Sequence, residues 1–170
     1  MLFRSVPDFV FEKFSDVTVD FVKKQNIRAL LCDVDNTLSP YEDAVPNEAV
    51  RAWIAAMQAN GIGIALVSNN HADRVETYNR DLGLVAFADA GKPSRKMYCR
   101  AAEALGVAIR DCAVLGDQLL TDCWSARRLG IRAIIVPPIR DKRDLFHHFK
   151  RAVEVPFMAA YRRKEKRNAK

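Results

Sequence analysis

Arg28-Ala-Leu-Leu-Cys-Asp-Val-Asp-Asn-Thr37 is the stretch of sequence that most restricts the fold. Residues 28–34 are mainly apolar, and their length and composition are typical of a strand buried on both faces. Two carboxylates, Asp33 and Asp35, stand where this strand ends. Buried strands that run into polar residues are typical of parallel sheets, whose ligands bind beyond the carboxyl ends of the strands.

The rest of the chain alternates such strands with longer helical patterns. The predicted strands cover residues 28–34, 62–67, 85–88, 112–115 and 133–136. The predicted helices cover residues 45–60, 72–82, 94–105 and 120–129. Pro46 suits the first turn of the first helix. Because this alternation indicates right-handed β-α-β units, we predict an α/β protein with a three-layer α/β/α, Rossmann-like fold and a mostly parallel central sheet.

A length of 170 residues, with 49% hydrophobic and 28% charged residues, is typical of one globular domain. We predict a single domain over residues 1–155, with an N-terminal extension (1–27) and a core (28–138), followed by a basic tail (156–170). No apolar run reaches the roughly 18 residues that would cross a bilayer, and the N-terminus lacks a signal-peptide pattern. The expected location is the cytoplasm, with peripheral attachment to the inner face of the membrane as the alternative.

The two ends of the chain have unusual compositions. The N-terminal extension holds five of the nine phenylalanines, which predicts either an element packed on the sheet or its edge, or a contact with lipid or a partner. Residues 140–170 hold 11 basic and 4 acidic residues, a net charge of +7, whereas the rest of the chain has a net charge of −1. This segment is either a solvated tail or a contact for an anionic membrane surface or, less favourably, for RNA phosphates.

Polar residues follow the predicted strands at several places. These residues are Asp33, Asp35, Ser68, Asn69, Lys92, Asp117 and Asp122. Each alone has an ordinary explanation: Asp35, Ser68, Asp122 and the neighbouring Asn70 could be helix caps or turn residues. Together they converge on one crevice, where clustered carboxylates are destabilising unless a cation neutralises them. Because the cysteines form no C-x-x-C pair and no histidine joins the set, oxygen ligands and a hard cation, with Mg²⁺ leading, are expected.

These residues carry a resemblance to a known family. Asp33-x-Asp35-x-Thr37, Ser68, Lys92 and Gly116-Asp117-x-x-x-x-Asp122 resemble, in order, the four motifs of the haloacid dehalogenase (HAD) superfamily of phosphohydrolases. The residues within these motifs further resemble those of the YqeG-type family of subclass IIIA, which is similar to mitochondrial phosphatidylglycerophosphate phosphatases. The similar region extends over roughly residues 20–138. It implies an HAD-type phosphatase, a phosphoric monoester hydrolase.

The resemblance implies a role for each residue of the acidic motifs. Asp33 would be the nucleophile that forms an aspartyl-phosphate. Asp35 would be the general acid that protonates the leaving oxygen and then the base that activates water. Asp33, the backbone carbonyl of Asp35 and Asp117 would hold Mg²⁺. Asp122 would orient Lys92 or a metal-bound water.

The same resemblance implies how the phosphate is held. Ser68 and Lys92 would bind the phosphoryl oxygens and stabilise their charge in the transition state. The amides of Asn36 and Asn69 are further candidate donors to the phosphate.

The spacing of the motifs bears on the substrate. The gaps at 38–61 and 69–91 are too short for an inserted cap domain, so the site is expected to be open. An open site suits a phosphate displayed on a large partner, and phosphatidylglycerophosphate is the substrate that the resemblance implies. A soluble phosphatase for a nucleotide, sugar phosphate or phosphoprotein is one alternative. A non-catalytic RNA- or ribosome-binding protein is the other, and the oligomeric state is not predicted.

Overall fold

A single parallel sheet of six strands organises the protein, for which the computed structural model describes residues 6–140. The strands are β1 (Phe9–Val10), β2 (Ala29–Cys32), β3 (Gly63–Val67), β4 (Val85–Phe87), β5 (Cys112–Gly116) and β6 (Arg132–Ile135). Their order across the sheet is β1-β6-β5-β2-β3-β4, and every neighbouring pair is parallel. The predicted α/β fold class is therefore confirmed.

Within residues 6–140, five α-helices cover the two faces of the sheet. They are α1 (Val19–Lys24), α2 (Glu48–Ala59), α3 (Ala72–Asn79), α4 (Lys96–Ala104) and α5 (Trp124–Leu129). Because side chains alternate along a strand, β2 contributes Leu30 to a core that it shares with α1, α2 and α3, and Leu31 to a core that it shares with α4 and α5. Both faces of the sheet are thus buried in the three-layer arrangement that the sequence predicts.

The phenylalanine-rich segment packs against the edge of the sheet. β1 pairs with β6, with Phe9 opposite Ile134. The ring of Phe21 makes edge-on contacts with the rings of Phe9 and Phe11, at centroid distances of 4.9 and 4.8 Å. Phe14 is buried in the main core. Residues 9–21 therefore belong to the folded unit.

The first and the last of the predicted helices differ in form from the prediction. α2 begins at Glu48 rather than near Val45, because the side chain of Asn47 caps the helix by accepting a hydrogen bond from the amide of Val50 at 3.0 Å. Pro46 consequently precedes the cap and is not in the first turn. The helix predicted over residues 120–129 is divided into a π-helical turn (Leu119–Cys123) and α5.

Part of the predicted organisation concerns residues that the structure does not describe. The predicted domain boundary at residue 155 and the basic tail (156–170) lie outside the described residues. Within residues 6–140, no helical segment combines the length and the apolar character that spanning a bilayer requires.

The order of the strands determines where a ligand can bind. From β2 the chain proceeds through β3 and β4 toward one edge of the sheet, and then through β5 and β6 toward the other. The direction of winding reverses between β2 and β5, and the carboxyl ends of these two strands flank a crevice. In open parallel sheets this reversal point is the usual position of the binding site.

Candidate active site

Two aspartates stand at the crevice, one at the end of each flanking strand. Asp33 directly follows β2 and Asp117 directly follows β5. Asp33 stays in register with the sheet because its amide donates a hydrogen bond to the carbonyl of Leu115 at 2.8 Å. Both aspartates are buried, and carboxylate oxygens of Asp33, Asp117 and Asp122 lie within 4.8 Å of one another. The sheet thus concentrates negative charge at one point.

A buried lysine joins two of these carboxylates. Lys92 Nζ lies 2.7 Å from Asp33 Oδ1 and 2.8 Å from Asp122 Oδ1, and only 3% of its side chain is exposed. Its backbone is held from the loop after β3, because the amide of Lys92 donates to Asn69 Oδ1 at 2.7 Å. Tyr98 of α4 donates a hydrogen bond to Asp122 Oδ1 at 3.3 Å. Lys92 is therefore fixed both along the backbone and at the ammonium group.

Burial and charge shift the pKa values of this cluster. Burial raises the pKa of Asp33 to about 6, against the opposing effect of Lys92. Burial, with the nearby charge of Asp33, also raises the pKa of Asp117 well above its usual range. Burial alone would lower the pKa of Lys92, but Asp122 and Asp33 outweigh it and hold the pKa well above its usual value. One ammonium group thus compensates three carboxylates only in part.

The same cluster has the oxygen ligands that a divalent cation needs. Asp117 Oδ1 accepts a hydrogen bond from the Thr37 hydroxyl at 3.4 Å. Because this hydrogen bond is long, the carboxylate of Asp117 remains able to bind an ion. Asp122 is different, because its oxygens accept hydrogen bonds from Lys92, from Tyr98 and from the amide of Gln118. Asp33 and Asp117 are therefore the better candidate ligands. A cation between them would relieve the charge excess, and their oxygens suit a hard ion.

Asp35 contacts other residues, which belong to α3 and to the segment before it. Its Oδ1 lies 3.0 Å from Arg74 Nη2, and its Oδ2 accepts a hydrogen bond from Asn70 Nδ2 at 3.2 Å. Asp35 is absent from the group of carboxylates that could share a metal ion. The two aspartates of the first motif therefore lie in different surroundings, Asp33 beside Lys92 and Asp35 beside Arg74.

The predicted site residues surround one polar pocket of about 250 Å³. Six of the eight contribute to its lining, namely Asp33, Asp35, Asn36, Ser68, Asn69 and Lys92. The other two, Asp117 and Asp122, lie in the carboxylate cluster beside Asp33. The backbone amide of Asn36 donates to the carbonyl of Ser39 at 2.7 Å, so that amide is already engaged. Ser68 Oγ accepts from the amide of Asn70 at 3.0 Å, an interaction that leaves its hydroxyl hydrogen available.

Several residues of the site were not singled out from the sequence. Tyr41, Gln118 and Thr121 also line the pocket, while Arg74 and Tyr98 contact its carboxylates. Arg74 and Tyr98 stand on helices, where nothing in the local pattern separates them from ordinary surface or core residues. Their placement depends on how α3 and α4 pack against the sheet.

A parallel sheet with an aspartate at each of two adjacent strand ends and a buried lysine between the acids is the arrangement of an HAD-type phosphatase. Comparison with known families agrees: residues 3–83 match the family described as mitochondrial PGP phosphatase, and residues 89–149 match the HAD-hydrolase-like family. The chain is 31% identical over 159 residues to "Probable phosphatase YqeG" of Bacillus subtilis (strain 168), across 94% of this chain and 92% of that protein. The protein belongs to the YqeG family of HAD phosphatases.

Solved structures share the fold at low sequence identity. An uncharacterized protein from Listeria monocytogenes serotype 4b has a TM-score of 0.54 and 17% identity, over 69% of this chain and 85% of that one. A hypothetical protein from Xanthomonas campestris has a TM-score of 0.54 and 19% identity, over 77% of this chain and 75% of that one. Together with the family match, these similarities confirm the predicted HAD-type fold and the predicted class of enzyme, a phosphoric monoester hydrolase.

Proposed function

We propose that this protein is a Mg²⁺-dependent phosphomonoester hydrolase that works through an aspartyl-phosphate. The observation that carries the proposal is the position of Asp33, at the base of the polar pocket with Lys92 Nζ 2.7 Å from its Oδ1. A carboxylate can attack phosphorus only if the negative charge of the phosphate is compensated. Lys92 supplies part of that compensation, and a cation held by Asp33, Asp117 and the carbonyl of Asp35 would supply the rest.

The first chemical step transfers the phosphoryl group to Asp33. A carboxylate oxygen of Asp33 forms a bond to phosphorus while the bond from phosphorus to the ester oxygen breaks. Ser68 and Lys92 bind the phosphoryl oxygens, with the amide of Asn69 beside them, and Asn36 lines the same pocket. Asp122 holds the ammonium group of Lys92 in place from the side away from the substrate. When bound, Mg²⁺ supplies Lewis-acid stabilisation of the transferred group.

Asp35 moves the proton in both steps. It donates a proton to the leaving oxygen as the ester bond breaks, and it then takes a proton from the water that attacks the aspartyl-phosphate. Inorganic phosphate leaves, Asp33 is again a carboxylate and Asp35 is again protonated. Its separation from the other carboxylates is consistent with this role, because a side chain on the metal could not exchange protons freely.

Phosphatidylglycerophosphate is the substrate that we propose. The match of residues 3–83 to mitochondrial PGP phosphatase supports it, as does a pocket that no cap domain covers within residues 6–140. Ile139 donates its amide hydrogen at 3.0 Å to the carbonyl of Asn36, which lines the pocket, and Arg140 lies 3.9 Å from Glu42. The excess of basic residues in the sequence from Arg140 onward suits peripheral attachment to an anionic membrane on the cytoplasmic side.

Phosphate release from several substrates tests the proposal. The panel is dispersed phosphatidylglycerophosphate, a nucleotide, a sugar phosphate and a phosphopeptide, each assayed with Mg²⁺, with EDTA and with the Asp33→Asn variant. We expect release that requires Mg²⁺ and Asp33 and that is fastest with the lipid. Faster release from a soluble ester would replace the lipid as substrate while keeping the mechanism. No release from any substrate would overturn the enzymatic proposal and direct attention to binding of RNA.

A further inference from the structure

We propose that Arg74 is a positioning residue, which holds the carboxylate of Asp35 at the point in the pocket from which it exchanges protons with the substrate. The inference rests on the proposed function, because it takes Asp35 as the acid and base. It assigns a role to a residue of α3 that belongs to none of the four motifs. Three features of Arg74 support it.

The first feature is the geometry around Asp35. Both oxygens of this carboxylate are held from one segment, Oδ1 by Arg74 Nη2 at 3.0 Å and Oδ2 by Asn70 Nδ2 at 3.2 Å. The side chains of Asp35 and Arg74 are only 17% and 16% exposed, so water screens their ion pair weakly. A carboxylate held at both oxygens has little rotational freedom. It is thereby kept beside α3 and does not join the carboxylate group of Asp33, Asp117 and Asp122.

The second feature is that Arg74 is poorly placed for stability alone. Its Nε and Nη1 are buried without a hydrogen-bond partner in the described part of the chain. Such unsatisfied buried donors destabilise the folded state. Arg74 also lies in the first turn of α3, where the helix dipole disfavours a positive charge. Residues that depart from local rules in this way are most often found at functional sites.

The third feature is the support beneath the guanidinium group. Arg74 Cζ lies 5.3 Å from the centroid of the Tyr78 ring, one turn further along α3. Tyr78 is fully buried, and its hydroxyl lies 2.7 Å from Ser39 Oγ. Ser39 in turn forms a β-bridge with Asp35. The arginine is therefore fixed relative to the same loop that carries the carboxylate it holds.

Two esters that differ in their need for a proton separate positioning from a merely structural role. Glycerol 3-phosphate releases an alkoxide, which requires protonation by Asp35, whereas p-nitrophenyl phosphate releases a phenolate that does not. We expect Arg74→Met to lower kcat/KM for glycerol 3-phosphate by at least about 20-fold, part of the 10²–10⁴-fold that general acid catalysis supplies. For p-nitrophenyl phosphate we expect a loss of less than about threefold by the same reasoning. The ratio of the two values is independent of how much of the variant folds.

Three further variants test whether the effect of Arg74→Met is due to the loss of positioning of Asp35. Arg74→Lys, which restores a cation and one donor to Asp35 Oδ1, should recover most of the lost ratio. Arg51→Met removes an arginine that pairs with Asp81 at 3.2 Å on the surface, and it should leave the ratio unchanged. In the Asp35→Asn background, Arg74→Met should add no further effect, because the two residues act as one unit.

The outcomes distinguish the inference from the function on which it rests. If Asp35→Asn alters the ratio of the two esters but Arg74→Met does not, the positioning role is wrong and the proposed mechanism stands. If Asp35→Asn itself leaves the ratio unchanged while the wild-type protein hydrolyses both esters, the assignment of Asp35 as the general acid is wrong. An equal loss with both esters for Arg74→Met and Arg74→Lys would mean that Arg74 serves only the fold.

Discussion

Gly116 and Asp122 are so close that a Cβ atom placed on Gly116 would lie 2.3 Å from Cγ of Asp122. No side chain can be added at Gly116 without moving this aspartate. The π-helical turn Leu119–Cys123 returns Asp122 to the end of β5, where its oxygens meet Lys92 Nζ and the amide of Gln118. The glycine of the fourth motif is therefore required for space beside the carboxylate that holds the lysine.

Replacing Gly116 should impair catalysis, because it displaces Asp122 and thereby the ammonium group of Lys92. We expect Gly116→Ala to lower kcat/KM by about 10²-fold, the cost of displacing a catalytic group by about 1 Å. The measurement is steady-state hydrolysis of p-nitrophenyl phosphate, normalised to folded protein. Gly63→Ala is a suitable control, because its Cβ would crowd Ala29 at 3.3 Å at the far end of the sheet. That variant should lose stability and keep its rate; a normal rate in Gly116→Ala would contradict the prediction.

Removing the nucleophile should abolish turnover and preserve the fold. We expect Asp33→Asn to lower kcat by at least about three orders of magnitude, because an amide cannot form the aspartyl-phosphate. Phosphate release and circular dichroism on the same sample measure the two effects. Asp73→Asn, at an exposed position in the first turn of α3, is the matched control and should retain the wild-type rate. A rate near wild type in Asp33→Asn would exclude this residue as the nucleophile.

The free energy of unfolding should depend on pH, because the carboxylate of Asp33 is buried in the folded state. Because its pKa is raised from 3.8 to about 6 in the folded state, the folded protein binds more protons than the unfolded chain between these values. The free energy of unfolding therefore falls as pH rises through about 6. In EDTA, the melting temperature of Asp33→Asn relative to wild type should rise from pH 5 to pH 7, by on the order of 5 °C. Thermal unfolding at both pH values measures it.

Added Mg²⁺ should reduce the difference in melting temperature between Asp33→Asn and the wild type. A cation that binds the folded protein and not the unfolded chain stabilises the wild type, and its effect should be largest above pH 6, where the carboxylates are ionised. Asp33→Asn should gain less from added Mg²⁺ than the wild type does. An equal gain in both proteins would mean that the ion binds elsewhere.

The basic C-terminal end should mediate membrane contact. Deleting residues 161–170, which lie outside the described part of the chain, should weaken sedimentation with anionic vesicles, because each basic residue near such a surface contributes about 1 kcal/mol. Hydrolysis of p-nitrophenyl phosphate should be unaffected. The matched control keeps the length and replaces the basic residues of this segment by glutamine, and it should behave like the deletion. Equal loss of vesicle binding and hydrolysis would show that the segment serves the active site instead.

Much of the fold follows from local patterns. The apolar run that ends at Asp33 and the alternation of strand and helix are sufficient to predict the sheet, since burial on both faces leaves a continuous apolar signature. The motif residues could be grouped because the carboxyl ends of parallel strands share one edge of a sheet. The sequence could not distinguish the surroundings of Asp33 and Asp35, which depend on long-range contacts with Lys92 and Arg74.

The strand β1 and the turn Leu119–Cys123 depend on packing that cannot be predicted from the local sequence. The two-residue strand β1 is too short to have a recognisable period, and it is defined by pairing with β6. The turn Leu119–Cys123 is π-helical rather than α-helical: Cys123 donates its amide hydrogen to the carbonyl of Gln118, five residues earlier, at 3.2 Å. Such wide turns are frequent at functional sites.

The pairing of β1 with β6 also dictates an order of assembly. Phe9 lies opposite Ile134, so β1, the first strand within residues 6–140, has no partner until β6, the last strand within that range, has been made. Contacts between such distant parts of a chain form late, because a large loop must close before they can stabilise anything. During synthesis β1 therefore remains an unpaired strand for longer than β2 to β5 do. A nascent chain of this protein is thus expected to depend on chaperones until β6 emerges.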